Sequence, residues 1–189
     1  MIHLEIIEKA YNWSGPLTRR AATDYIVLHH RAGSGDVESL HKLHLQEGYA
    51  GIGYHFYIRK DGTIYRGRPS QMLGAHCLGS NAKSIGICFE GNYTQDIMPK
   101  AQITAGQELI HSLKTAYPEA EVKKHSDLYP TTCPGKQFPF EEVIRMTIKE
   151  AIHIVKTKAG LEDGTIQFLL CYKYGEDLII KLAQAIAGK

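Results

Sequence analysis

The chain has 189 residues, 43% of them hydrophobic and 22% charged, a balance that excludes an intrinsically disordered polypeptide. Lysines and arginines number 22 against 20 acids, and a formal charge of +2 is too even to argue for nucleic-acid or anionic-lipid binding. No window reaches the roughly 18 consecutive apolar residues of a membrane span, so stable membrane insertion is not expected. The opening Met1-Ile-His-Leu-Glu-Ile-Ile-Glu-Lys mixes charge with apolar residues and does not read as a secretion signal. Cysteines at 77, 88, 133 and 171 show neither CxxC pairing nor the density of a disulfide scaffold.

Tyr25-Ile-Val-Leu-His29-His30 is a short β-rich run and reads as a strand. Residues 36–46 read as a helix, with Asp36 as its cap, Val37, Leu40, Leu43 and His44 on one face, and Gly48 as its stop. Tyr54-His-Phe-Tyr-Ile58 and Thr63-Ile-Tyr65 flank Lys60-Asp61-Gly62 and predict a hairpin. Ser84-Ile-Gly-Ile-Cys-Phe89 is a further buried strand, whose Gly86 allows close approach of another backbone or side chain. Ile103, Leu109, Ile110, Leu113 and Tyr117 mark a helix that stops before Pro118. Another begins after Pro139, with Phe140, Val143, Ile144, Ile148, Ala151, Ile152 and Val155 at helical spacing.

Elements mixed in this way predict an α/β fold with a central mixed β-sheet covered by helices. Beyond Lys156 two short apolar-periodic stretches, 165–174 and 176–187, are separated by Gly175 and predict a small C-terminal helical hairpin. Ile166, Leu169 and Leu170 would face Leu178, Ile179, Leu182 and Ile186, an apolar seam too small to fold alone. The expected organisation is a main domain over residues 1–158 and a helical extension over 159–189.

His125-Ser-Asp127-Leu-Tyr-Pro-Thr131-Thr-Cys133-Pro-Gly135 sets a histidine, a threonine and a cysteine in a loop rich in turn formers. Imidazole and thiolate are favoured ligands of Zn2+, and a catalytic zinc takes three protein ligands with a fourth position left open. A third ligand must then come from elsewhere. His29 and His30 are adjacent on a strand and point to opposite faces, so only one can face the same metal, and the residues alone leave open which. Taken singly, Cys133 reads as a buried thiol and His125 as a hydrogen-bonded loop residue.

The strings Val27-Leu28-His29-His30, Gly51-Ile-Gly-Tyr54-His-Phe56, Tyr65-Arg-Gly-Arg-Pro69, Gly74-Ala-His76, Asn81-Ala-Lys-Ser-Ile-Gly-Ile87 and the His125–Gly135 loop occur in one order along the chain. Together they resemble a zinc-dependent N-acetylmuramoyl-L-alanine amidase, over residues 20–155. This superfamily holds phage amidase-type lysozymes, bacterial autolysins and animal peptidoglycan recognition proteins. The resemblance implies that His29, His125 and Cys133 bind Zn2+, that His30 turns away, and that Tyr54 and Thr131 are catalytic. It further implies His76 and Asn81 as contacts for the stem peptide or the sugar. Arg66 and Arg68 either pair with peptide carboxylates or brace their loop through backbone carbonyls.

The implied reaction is hydrolysis of the amide between N-acetylmuramic acid and L-alanine in bacterial peptidoglycan. Zinc would supply hydroxide near neutral pH, and the Tyr54 and Thr131 hydroxyls would stabilise the oxyanion. Where certain superfamily members carry a glutamate, this chain has Cys88, with Glu90 two residues on along the same strand face, so the general base stays open. Asp127 is expected to orient the His125 loop. Cys77, Cys88 and Cys171 read as small apolar residues, with Cys77 open to exposure beside His76. The implied setting is an enzyme made in the cytoplasm without a signal peptide that acts on the cell wall, as a phage or prophage endolysin or an autolysin. The alternatives are a non-catalytic peptidoglycan-recognition module and a thiol hydrolase built on Cys133. The extension lies outside the resemblance and reads as a packed helical appendage, with a wall-targeting or self-associating module as its alternative.

Overall fold

In the computed structural model, which describes residues 4–187, the first β-rich run is strand β1 (Tyr25–His30) and the capped segment after it is helix α1 (Val37–Gln46). The hairpin forms from β2 (Phe56–Ile58) and β3 (Ile64–Arg66), and the Gly86 run is β4 (Ser84–Phe89). Helix α2 (Lys100–Ala116) leads to β5 (Glu121–Lys124), which runs directly into the single turn α3 (His125–Leu128). The sheet order is β3-β2-β4-β1-β5, with β3 antiparallel to β2 at one edge and every other pairing parallel. The mixed sheet expected from the sequence is thus formed.

Parallel strands are joined by crossovers that cover both sheet faces, which is why β1 and β4 are buried along nearly their whole length. Alternation divides their side chains. Ile26, Leu28, Ile85, Ile87 and Phe89 join Phe56 and Ile58 against Ile103, Leu109, Ile110 and Leu113 of α2. Each such side chain contributes about 1.5–3 kcal/mol relative to exposure. On the opposite face, Tyr57 and Cys88 pack with Val37 and Leu40 of α1 and with Ile52. His29 shares this second face, because its register partner is Cys88, while His30 pairs with Phe89 and belongs to the first.

Asp36 caps α1, its carboxylate accepting from the Ser39 amide at 2.7 Å. The buried stripe is Val37, Leu40, His41 and His44, whereas Leu43, expected on that face, is 42% exposed. His41 takes the inner place because its Nδ1 accepts from the buried Ile52 amide and its ring stacks on Tyr11. A leucine offers no such acceptor.

The single helix expected after Pro139 is two. Helix α4 (Phe140–Val143) ends early, and α5 (Ile148–Ala159) starts afresh at a capping box in which Thr147 Oγ1 accepts from the Glu150 amide and Glu150 Oε2 from the Thr147 amide. The chain then forms α6 (Asp163–Leu170) and α7 (Gly175–Ala187). Compact units divide at Ile144/Arg145, so α5 groups with the C-terminal helices where a boundary after residue 158 was expected. A two-helix hairpin cannot cover its own apolar faces, and α5 supplies the missing side: Ala151 and Val155 pack with Ile166, Ile179, Ile180 and Ala183. Leu178, expected in this seam, is 52% exposed, and Ile180 takes its place. No described helix is long and apolar enough to cross a membrane.

Candidate active site and metal centre

The carboxyl ends of parallel strands are where open α/β sheets form crevices, and here two neighbouring strands bring histidines to that edge. β1 and β5 pair with Leu28 opposite Lys124, so the next residues in register are His29 and His125. Their ring centroids lie 4.4 Å apart. Cys133 arrives from the loop after α3, where the Ser126 amide donates to the Cys133 carbonyl at 2.9 Å and ties the loop back. Its Sγ lies 3.8 Å from His29 Nδ1. One ligand atom from each of His29, His125 and Cys133 falls within 4.8 Å of the other two.

The protonation states suit a cation. Burial, followed by the neighbouring His125, drives the His29 pKa well below the ordinary value, and burial lowers His125 too, so both rings are neutral at pH 7. Most telling is His125 Nε2, a buried ring nitrogen without a hydrogen-bond partner among the described residues. Such an atom costs about 1–3 kcal/mol if left alone. A metal ion among the three side chains would satisfy it, and two imidazoles with a thiol form the donor set that zinc prefers. The residues therefore fit the ion.

Tyr54 stands beside the cluster, its ring centroid 5.0 Å from that of His29. The chain reaches it through Gly53, where a Cβ would lie 2.0 Å from the Ala75 carbonyl oxygen, so only glycine permits this approach. Burial raises the Tyr54 pKa well above the phenol value, which keeps the hydroxyl protonated as a donor. Thr131 Oγ1 accepts from the Cys133 amide at 3.2 Å, leaving its own proton to donate elsewhere. Asp127 accepts from the Lys124 amide at 2.8 Å and so closes the turn that carries His125.

The other candidates are engaged by protein. His76 is only 8% exposed and its Nδ1 lies 3.0 Å from His29 Nε2, which puts it behind the cluster. Asn81 accepts from the amides of His76 and Cys77 at 2.8 and 2.9 Å. Arg66 pairs with Glu8, donates to Ser70 and covers the Phe56 ring, partners that lie outside the histidine cluster. Arg68 is buried and donates to the carbonyls of Ile52, Leu73 and Gly51, bracing its loop. His30, on the far face, accepts from the Tyr93 amide at 3.0 Å. Cys77 is 1% exposed, as its reading as a small apolar residue expects, and Cys171 is exposed where an apolar role was expected.

The model of the family described as N-acetylmuramoyl-L-alanine amidase matches residues 19–136, a segment that contains the whole of this cluster. The chain belongs to that family. Among relatives, an endolysin of Enterobacteria phage K11 is 32% identical over 127 residues, covering 62% of this chain and 84% of the endolysin. Peptidoglycan-recognition protein SC2 of Drosophila melanogaster is 35% identical over 127 residues, covering 59% of this chain and 67% of that protein. The solved structure of the N-acetylmuramoyl-L-alanine amidase LysC from Clostridium intestinale URNW has a TM-score of 0.72 at 38% identity, covering 84% of this chain and 99% of its own. The chain is therefore an enzyme that hydrolyses the amide between N-acetylmuramic acid and L-alanine in peptidoglycan.

In this amidase Glu90 is tied into the fold. It is 5% exposed and accepts from the Gly35 and Lys60 amides at 3.0 and 3.1 Å and from Arg59 at 3.3 Å. Burial works to raise its pKa, but these donors outweigh burial and the net shift is downward. The stability it contributes is accordingly present above the unfolded carboxylate pKa and lost as pH falls through the lowered folded one. Glu90→Ala should cost about 2–4 kcal/mol in denaturant unfolding while the folded fraction keeps its turnover number. A collapse of turnover without loss of stability would instead make Glu90 a reacting base.

Proposed function

We propose that this amidase is zinc-dependent, with His29, His125 and Cys133 as ligands, and that it cleaves bacterial cell wall in the manner of a phage endolysin. The observation that carries the reading is a buried His125 Nε2 without a hydrogen-bond partner among the described residues, on a histidine whose ligand atom lies within 4.8 Å of those of His29 and Cys133. Zinc there would supply a Lewis acid able to furnish hydroxide near neutral pH and to polarise an amide carbonyl. Everything else falls to the chain itself. His29 and His125 offer unprotonated nitrogens, and Tyr54 keeps its phenolic proton and can donate it in a hydrogen bond to the oxygen that gains charge as the amide carbon becomes tetrahedral. The Thr131 hydroxyl, anchored by the Cys133 amide, is the second candidate donor.

A thiol hydrolase is disfavoured by the same geometry. Burial pushes the Cys133 thiol up to about 11, the opposite of what an unassisted thiolate nucleophile requires. Similarity to the phage K11 endolysin supports action on the wall of a bacterial host. Chelation should abolish release of new N-terminal alanine amines from purified walls, and added zinc should return it without any new reducing sugar. Full activity after exhaustive chelation would remove the metal from the mechanism.

A further inference from the structure

The ring nitrogen of His29 that does not face Cys133 meets another imidazole. Metal-binding histidines ordinarily donate this second N–H to a carboxylate, a carbonyl or water. Here His29 Nε2 lies 3.0 Å from Nδ1 of His76, and the environment of His76 sets the direction of that hydrogen bond. Ser84 Oγ donates its proton to the Ser80 carbonyl at 2.7 Å, so toward His76 Nε2, at 3.4 Å, the hydroxyl oxygen can only accept. His76 must then carry its proton on Nε2 and present a bare Nδ1. His29 must in turn donate from Nε2, and its Nδ1 is left with a lone pair, on the side where Cys133 Sγ lies at 3.8 Å.

The space for this ring is built. A Cβ on Gly86 would lie 2.6 Å from the His76 ring, and one on Gly74 would lie 2.5 Å from it, so two glycines form the slot. Asn81 pins the backbone at its entrance by accepting from the amides of His76 and Cys77. A side chain meant for substrate would not need to be 8% exposed with both ring nitrogens occupied by protein.

We infer that His76 is a positioning residue, which holds His29 in the tautomer whose Nδ1 is free for the metal, through a polar chain from the Ser80 carbonyl by way of Ser84. The inference rests on His29 being a ligand. It assigns the Gly74-Ala-His76 string to the metal centre, in place of the contact with stem peptide or sugar that the sequence resemblance implies.

Two measurements test it. In purified wild-type protein, nitrogen-15 spectra of the histidine rings should show His29 protonated on Nε2, with a coupling across the hydrogen bond to His76 Nδ1. His76→Phe keeps the ring volume and removes the acceptor, and should weaken zinc binding about 10–100-fold in competition with a chromogenic chelator. His76→Asn, whose Oδ1 stands where Nδ1 was, should stay within a few-fold of wild type. The inference is overturned by a His29 ring protonated on Nδ1, by the absence of the coupling, or by a His76→Phe protein that binds zinc like wild type and shows only a raised KM. Should no variant fold, the wild-type spectrum still decides. A wild type that takes up no zinc yet shows the coupling would sink the metal reading and leave the hydrogen-bond chain standing.

Discussion

Cys133→Ala should lose zinc and wall hydrolysis together. Of the three proposed ligands Cys133 is the one that would gain a negative charge on binding, and its carbonyl and amide are separately held by Ser126 and Thr131, so truncation at Cβ removes the sulfur while leaving the loop its backbone contacts. Structural zinc in zinc-finger peptides binds with about 10–16 kcal/mol, and on that scale losing one of three ligands forfeits about 3–5 kcal/mol. At about 1.4 kcal/mol per tenfold, zinc affinity should fall roughly 100- to 4000-fold. Chelator competition and amine release measured on one preparation check both halves. A Cys133→Ala protein that keeps wild-type zinc affinity would exclude the sulfur from the site.

Tyr54→Phe should separate chemistry from metal binding. The substitution removes one hydroxyl and keeps the ring that packs against His29 and His44. Loss of a preorganised donor to a developing oxyanion costs about 2.7–4 kcal/mol, so kcat should fall about 100- to 1000-fold with zinc content unchanged. Burial keeps this phenol protonated far above neutral pH, and the deficit should therefore be the same from pH 6 to 8. Unchanged turnover would remove Tyr54 from the mechanism; loss of zinc would make it a support for the metal centre instead.

Much of the frame was legible because its signals are local. Short β-rich and continuous apolar runs marked β1, β2 and β4, Asp36 and Gly48 bounded α1, and Lys60-Asp61-Gly62 marked the hairpin. What escaped depends on partners distant in the chain. Alternation says that His29 and His30 point apart and the family resemblance chose His29, but the physical reason, its pairing with Cys88 on the α1 side of the sheet, needs the fold. Apolar spacing runs unbroken from Phe140 to Val155 and hid the end of α4, although the Thr147-to-Glu150 capping pattern stood in the sequence. Helical spacing gave Leu43 a place in the buried stripe of α1, yet hydrogen bonding to Ile52 gave the inner face to His41.

The placement of His76 was the hardest to read. Gly86 announced that something approaches β4 closely, without saying that the visitor is an imidazole from a loop ten residues earlier in the chain. Cys77, read as a small apolar residue, is buried because the turn pinned by Asn81 folds it inward.

Zinc K-edge absorption spectroscopy on the purified amidase bears most directly on the proposed metal centre of His29, His125 and Cys133. Stoichiometric zinc bound by one sulfur and two imidazoles is the expected spectrum, with the sulfur contribution gone in Cys133→Ala. A protein that takes up no zinc, or a bound ion surrounded by nitrogen and oxygen alone, would contradict it.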